Sequence, residues 1–263
     1  SGNAGPRGMT VTPGNRRTEP GLPASFASNF YEECSVLQTF VYVSCSQSRE
    51  IQVFSLDVAT GELALEQSCP MPASVQPLRI SPDKKILFAG MRDPHAVASL
   101  AVDAQTGKLT WLGQQPVAGP ATFVASDQNQ HMLFCASWGG NNLSCCPLDA
   151  QGVPQPVSQT EHDLPRAHAA LTDASNRWLL VPTLGGDAIR VYALLTDGRI
   201  VPNDPPLVQC RPGSGPRHLV FSNDNRCVYC LNELDGSIDR FEFDVNAGKL
   251  SLCQSESMLP ADR

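Results

Sequence analysis

The sequence predicts an all-β chain, a β-propeller of four-stranded antiparallel blades with about five blades present. Two observations predict it: a turn signature returns at a near-constant interval, and the stretches between the turns read as short strands. The copies are Asp57-Val-Ala-Thr-Gly61-Glu-Leu63, Asp103-Ala-Gln-Thr-Gly107-Lys-Leu109, Asp149-Ala-Gln-Gly152-Val, Thr196-Asp197-Gly198-Arg-Ile200 and Asp244-Val-Asn-Ala-Gly248-Lys-Leu250. Their glycines stand 46, 45, 46 and 50 residues apart. A second signature keeps the same interval: Ser81-Pro-Asp83, Ser126-Asp127, Thr172-Asp173 and Ser222-Asn-Asp224, each leading into a short apolar run. Self-similarity at this spacing marks a repeat architecture.

The repeat unit follows from the segments between the turns. Phe40–Ser44, Ile51–Leu56, Ile86–Gly90, Leu133–Ala136, Trp178–Val181, Ile189–Tyr192, Val228–Leu231 and Ile238–Phe243 are rich in β-branched and aromatic residues and bounded by Gly, Asp, Asn or Pro. No stretch keeps helical spacing over ten residues, and 22 prolines and 20 glycines spread along the chain oppose long helices. In the second repeat four strands fall at Pro77–Ile80, Ile86–Gly90, Val97–Val102 and Leu109–Gly113. The Asp-x-x-x-Gly turn joins the third to the fourth, its glycine supplying the positive φ a tight hairpin needs. Four strands in this length make one propeller blade. The first strand begins near Thr39 and the last ends near Cys253, so repeat one lacks its innermost strand. The pattern is expected to be the front portion of a longer propeller rather than a closed ring of five.

Composition bounds the partners. A net charge of −7 argues against nucleic acid and acidic membranes. No run of 18 apolar residues exists to span a bilayer. Residues 1–37 lack an apolar core for a secretory signal and are expected to be a disordered extension or tag, with Met9 as a native start, preceding a propeller over 38–263. The ten cysteines read as small buried hydrophobes of a reducing cytoplasm, with disulfides in a secreted form as the alternative. Cys227-Val-Tyr-Cys230 lies within a strand, where three-residue spacing turns the thiols to opposite faces, so no zinc knuckle is expected, and without a Walker loop, dinucleotide fingerprint or H-E-x-x-H no metal or cofactor is expected either.

Propeller sites gather around the central channel, which singles out polar residues where repeats begin. Leu164-Pro-Arg166-Ala-His168 opens the fourth repeat, and His168 is either a channel-facing general base or a structural histidine. Gly213-Ser-Gly215-Pro-Arg217-His218 stands at the matching point of the fifth. There Arg217 offers a planar fork for a carboxylate or phosphate, or else an inter-blade salt bridge. Asn232-Glu233-Leu234 ends that repeat's second strand. Glu233, one hairpin from Arg217, either meets it or is a solvated loop carboxylate.

These motifs, with Val75-Gln-Pro77-Leu-Arg-Ile-Ser81-Pro-Asp83, closely resemble the bacterial 6-phosphogluconolactonases of the seven-bladed lactonase propeller family. That family also includes fungal carboxymuconate-cyclising enzymes. The likeness runs in unbroken register from about Thr39 to Pro260. It implies seven blades, of which this chain resembles about the first five. It also implies a catalytic set of His168, Arg217 and Glu233, with Arg217, His218 and Asn232 binding substrate. The family's His-Ser is His168-Ala169 here, and a further arginine of the family falls in a sixth repeat that the resemblance does not reach. The implied reaction is metal-free hydrolysis of 6-phospho-D-glucono-1,5-lactone to 6-phosphogluconate in the pentose phosphate pathway, by a cytoplasmic monomer. A carboxymuconate-type lactonising enzyme, a non-enzymatic binding propeller and an inactive truncated homologue are the alternatives.

Overall fold

A computed structural model describes residues 38–260. The expectations for residues 1–37 therefore lie outside the described residues. Five antiparallel sheets follow one another along the chain. The first has three strands, β1 (Thr39–Cys45), β2 (Glu50–Leu56) and β3 (Leu63–Pro70). The second is β4 (Ser74–Ile80), β5 (Ile86–Arg92), β6 (Ala96–Val102) and β7 (Leu109–Pro116), and the third is β8 (Phe123–Ser126), β9 (Met132–Ser137), β10 (Asn142–Pro147) and β11 (Gln159–Glu161). The fourth comprises β12 (Leu171–Thr172), β13 (Trp178–Thr183), β14 (Ala188–Leu194) and β15 (Ile200–Gln209). The fifth comprises β16 (Pro216–Phe221), β17 (Cys227–Asn232), β18 (Ser237–Asp244) and β19 (Lys249–Ser257). Within each sheet the strands pair in chain order, as propeller blades do. The first sheet lacks its innermost strand among the described residues, as the repeat count predicted.

The core lies between sheets. Leu87 and Ala89 pack toward the first sheet, whereas their neighbour Phe88 packs toward the third. Leu133 and Cys135 face the second sheet, and Phe134 and Ala136 face the fourth. Both faces of the middle strands are thus covered, which is why they read as continuous apolar runs rather than alternating ones. Six cysteines are buried in these layers or at their edges, and all nine in the described residues are free thiols. Among the described residues no helix is long and apolar enough to cross a membrane.

Both sequence signatures prove to be devices that join blades. Asp103 holds its hairpin by accepting the Gln105 and Thr106 amides, and Gly107 follows at φ +67°. A Cβ at Gly107 would overlap the ring of Phe40 in the preceding sheet. The corresponding contacts are Gly152 with Ile86, Gly198 with Met132, and Gly248 with Trp178. Gly61, in the first sheet, meets nothing within 4 Å among the described residues. In the second signature, Asp127 and Asp173 each receive an amide from the next blade: Asn176 Nδ2 donates to Asp127 at 2.9 Å and Asn225 Nδ2 to Asp173 at 2.8 Å.

Candidate active site

His168 enters on a segment that is barely a strand. Its amide donates to the Pro182 carbonyl at 3.1 Å, and regular pairing begins only at Leu171. Ala167, Ala169 and Ala170 on either side are fully buried. Small flanking residues let this backbone sit deep while the imidazole projects from it.

Arg217 is placed by a bulge. Pro216 pairs with Asn232 and His218 with Leu231, so Arg217 is the extra residue on β16. A bulge re-aims side chains that strict alternation would send to opposite faces. Both Arg217 and His218 consequently reach His168: Arg217 Nε donates to His168 Nε2 at 3.1 Å, and the two imidazoles meet edge to face with centroids 4.9 Å apart. Phe123 of the third sheet adds an aromatic wall, 6.0 Å from the His218 ring. Ala167 pairs with Thr183 as Pro216 pairs with Asn232, and Leu171 with Leu180 as Val220 with Tyr229, so Arg217 occupies the position in its blade that His168 holds in the preceding one, with His218 one step after it.

Glu233 follows β17 directly, and its carboxylate lies 2.8 Å from Arg217 Nε. Arg217 thus donates its Nε–H to the imidazole while the same nitrogen stands in ion-pair contact with the carboxylate, and among the described residues its terminal nitrogens make no hydrogen bond. The Glu233 and Leu234 amides donate to the carbonyls of Gly215 and Ser214, tying the two loops together. Gly215 sits at φ +66°, and a Cβ there would strike Leu234 at 2.6 Å. Asp187, in the loop after β13, completes the scaffold: its two carboxylate oxygens accept the amides of Gly213 at 2.7 Å and Gly215 at 2.9 Å. Asp187 escaped the sequence reading, and its only signal is the Gly185-Gly-Asp187 turn at a position equivalent to the Glu233 loop.

Electrostatics follow from this packing. The His168 pKa is pushed down to about 4, chiefly by burial, then by the Arg217 charge and His218. His218 is also lowered, by burial and Arg217, with Glu233 opposing. Both rings are neutral at pH 7. Because His168 Nε2 accepts from Arg217, its proton sits on Nδ1, which is buried with no hydrogen-bond partner among the described residues.

The structure brings His168, Arg217, His218 and Glu233 together and leaves Asn232 apart. Asn232 is buried, and its amide nitrogen donates to Ser237 at 2.9 Å and Asp239 at 2.8 Å. It belongs to a polar network with Arg211, which also pairs with Asp235 at 3.0 Å in the loop carrying Glu233. Asn232 therefore supports that loop rather than facing the cluster.

Comparison with known proteins converges on one family. The family described as Lactonase, 7-bladed beta-propeller, matches residues 38–263. The 6-phosphogluconolactonase of Yersinia pestis is 37% identical over 222 residues, covering 84% of this chain and 66% of the relative. The chain thus spans just under two thirds of that relative's length. The periplasmic gluconolactonase of Pseudomonas aeruginosa superposes with a TM-score of 0.78 at 27% identity, over 85% of this chain and 69% of that one. A Bacteroides fragilis propeller matches with a TM-score of 0.78 at 22% identity, over 87% of this chain and 70% of that one, a likeness of fold.

Proposed function

This chain belongs to the seven-bladed β-propeller lactonase family, and on that premise we propose that it hydrolyses 6-phospho-D-glucono-1,5-lactone to 6-phosphogluconate. The observation that carries the proposal is the Arg217 guanidinium, fixed on one side by His168 and Glu233 with its terminal N–H groups uncommitted. Such donors suit an oxygen that turns negative as a carbonyl is attacked.

In this reading the lactone carbonyl oxygen lies against the Arg217 terminal nitrogens. Glu233 takes a proton from a water as its oxygen bonds to the carbonyl carbon. The tetrahedral intermediate then expels the ring oxygen, and Glu233 returns the proton to it, leaving the open-chain acid. His168 holds Arg217 in place as a neutral acceptor: its lone pair is already engaged, and its depressed pKa makes it a weak base at neutral pH. His218 buttresses His168 and lines the sugar side. The assignment extends to a cytoplasmic monomer acting on a small anionic lactone, a compartment that suits the free buried thiols.

The test is a pH-stat assay of acid release, corrected for spontaneous lactone hydrolysis. Glu233→Gln, which keeps the shape and loses the base, should lower kcat by about 10²-fold or more with little change in KM. Unchanged kcat would place the base elsewhere.

A further inference from the structure

The catalytic cluster poses a charge problem for a phosphorylated substrate. Arg217 and Glu233 cancel as a contact pair, and His168 and His218 are neutral at pH 7. A phosphate carrying nearly two negative charges finds no uncompensated cation among these four residues. Arg211, the next arginine along, is bound to Asp235 at 3.0 Å and Asp239 at 3.5 Å.

Arg166 is different. It lies two residues before His168, so their Cα atoms are within about 7 Å. Its guanidinium carbon stands 5.1 Å from the ring centroid of Trp138, an indole left 43% exposed at the end of β9. Its backbone is fixed at φ +52°, with the amide donating to Asn141 Oδ1 at 2.8 Å and the carbonyl accepting from Leu184. Its aliphatic stem runs over Gly185, where even a Cβ would come within 3.2 Å. Among the described residues no carboxylate pairs with it. The nearest acid in its loop, Asp163, lines a separate cleft with Arg190 and Tyr192. Arg92 also lacks an acidic partner among the described residues, but it belongs to the second sheet and donates to the Ala121 carbonyl at 3.4 Å.

We infer that Arg166, held over the Trp138 ring, is the phosphate-recognition point of this site, gripping a phosphate monoester while the lactone lies at Arg217. This cation–π contact holds the guanidinium over the indole, and with no acidic partner among the described residues its N–H donors are available for bidentate contact with a phosphate. The exposed indole beside it offers a flat apolar surface to the sugar carbons. The inference rests on the lactonase reading for the location of the lactone, though not for the recognition of phosphate.

The experiment uses the stable products as probes. Calorimetric titration should show 6-phosphogluconate binding more tightly than gluconate to the wild-type chain. Arg166→Gln should erase that preference by weakening 6-phosphogluconate about tenfold or more, leaving gluconate unchanged. Arg166→Lys, which keeps charge without the planar fork, should restore it only in part. In turnover, Arg166→Gln should raise KM for the phosphorylated lactone and not for glucono-1,5-lactone, with kcat held. A preference for 6-phosphogluconate that survives Arg166→Gln overturns the inference, as does a wild-type chain without the preference. Selective binding through Arg166 with no lactone hydrolysis would sustain it while sinking the lactonase reading.

Discussion

Protonating His168 would set a second positive charge beside the Arg217 guanidinium, 3.1 Å from its Nε, in a half-buried position. Burial first, and that charge second, hold its pKa at about 4, well below the usual value near 6.5. An NMR titration of the chain should show the His168 ring neutral down to about pH 5. Arg217→Gln, which removes the charge, should move its midpoint upward. A wild-type midpoint between pH 6 and 7 would contradict the assembled geometry. The linkage has a definite sign: between about pH 4 and 6.5 the unfolded chain binds more protons at this residue. Its contribution to stability is therefore full above that window and declines as pH falls through it. The residue types of this site were legible in the sequence, and so was the reach from Arg217 to Glu233 across one hairpin. The bulge at Arg217 was not, because it depends on how the Gly213–Gly215 loop is clamped by Asp187, a residue of another blade. The inward turn of Asn232 was readable in principle. Successive strand residues point to opposite sides, so an Asn beside a site-facing Glu faces away from the site.

Among the elements, the recurrent hairpin carries two burdens that its sequence displays as one. Its glycine satisfies a positive φ, which any hairpin of this form demands, and it also lets the turn rest on the preceding blade. Gly61 and Gly107 separate these effects, since both have positive φ but only Gly107 abuts a neighbour, Phe40. Gly61→Ala should cost about 1–2 kcal/mol from backbone strain alone. Gly107→Ala should cost about 1–3 kcal/mol more, because the new methyl must displace a packed ring. Urea unfolding of the two variants measures the difference, and equal losses would remove the packing role. The hairpin itself was evident from the spacing of Asp and Gly. The partners Phe40, Ile86, Met132 and Trp178 were not, since they vary in chemistry and share only their place at the start of the second strand. The side-chain amides of Asn176 and Asn225 escaped for a related reason: each sits in an ordinary polar turn, and only the stacking of blades reveals its carboxylate partner.

For the whole molecule, the period predicted the architecture well because each blade is a local unit whose strands pair in chain order. It could not predict which loops converge. His168 and Asp187 come from the fourth blade, Arg217 and Glu233 from the fifth and Phe123 from the third, and their meeting depends on how sheets stack. The same stacking leaves the site with Arg217 and Glu233 in mutual neutralisation on a chain of net charge −7, so an anionic substrate must be drawn by local cations such as Arg166 rather than by the overall field. The central claim is that this arrangement hydrolyses a phosphosugar lactone through the terminal donors of Arg217. Initial rates of 6-phosphogluconolactone hydrolysis, with the 263-residue chain and its Arg217→Ala variant against buffer alone, test it most directly. The account predicts a rate well above the uncatalysed reaction for the wild type, and a loss of about 10²–10³-fold in kcat/KM for the variant. A wild-type rate no faster than buffer, or a variant as fast as the wild type, would contradict it.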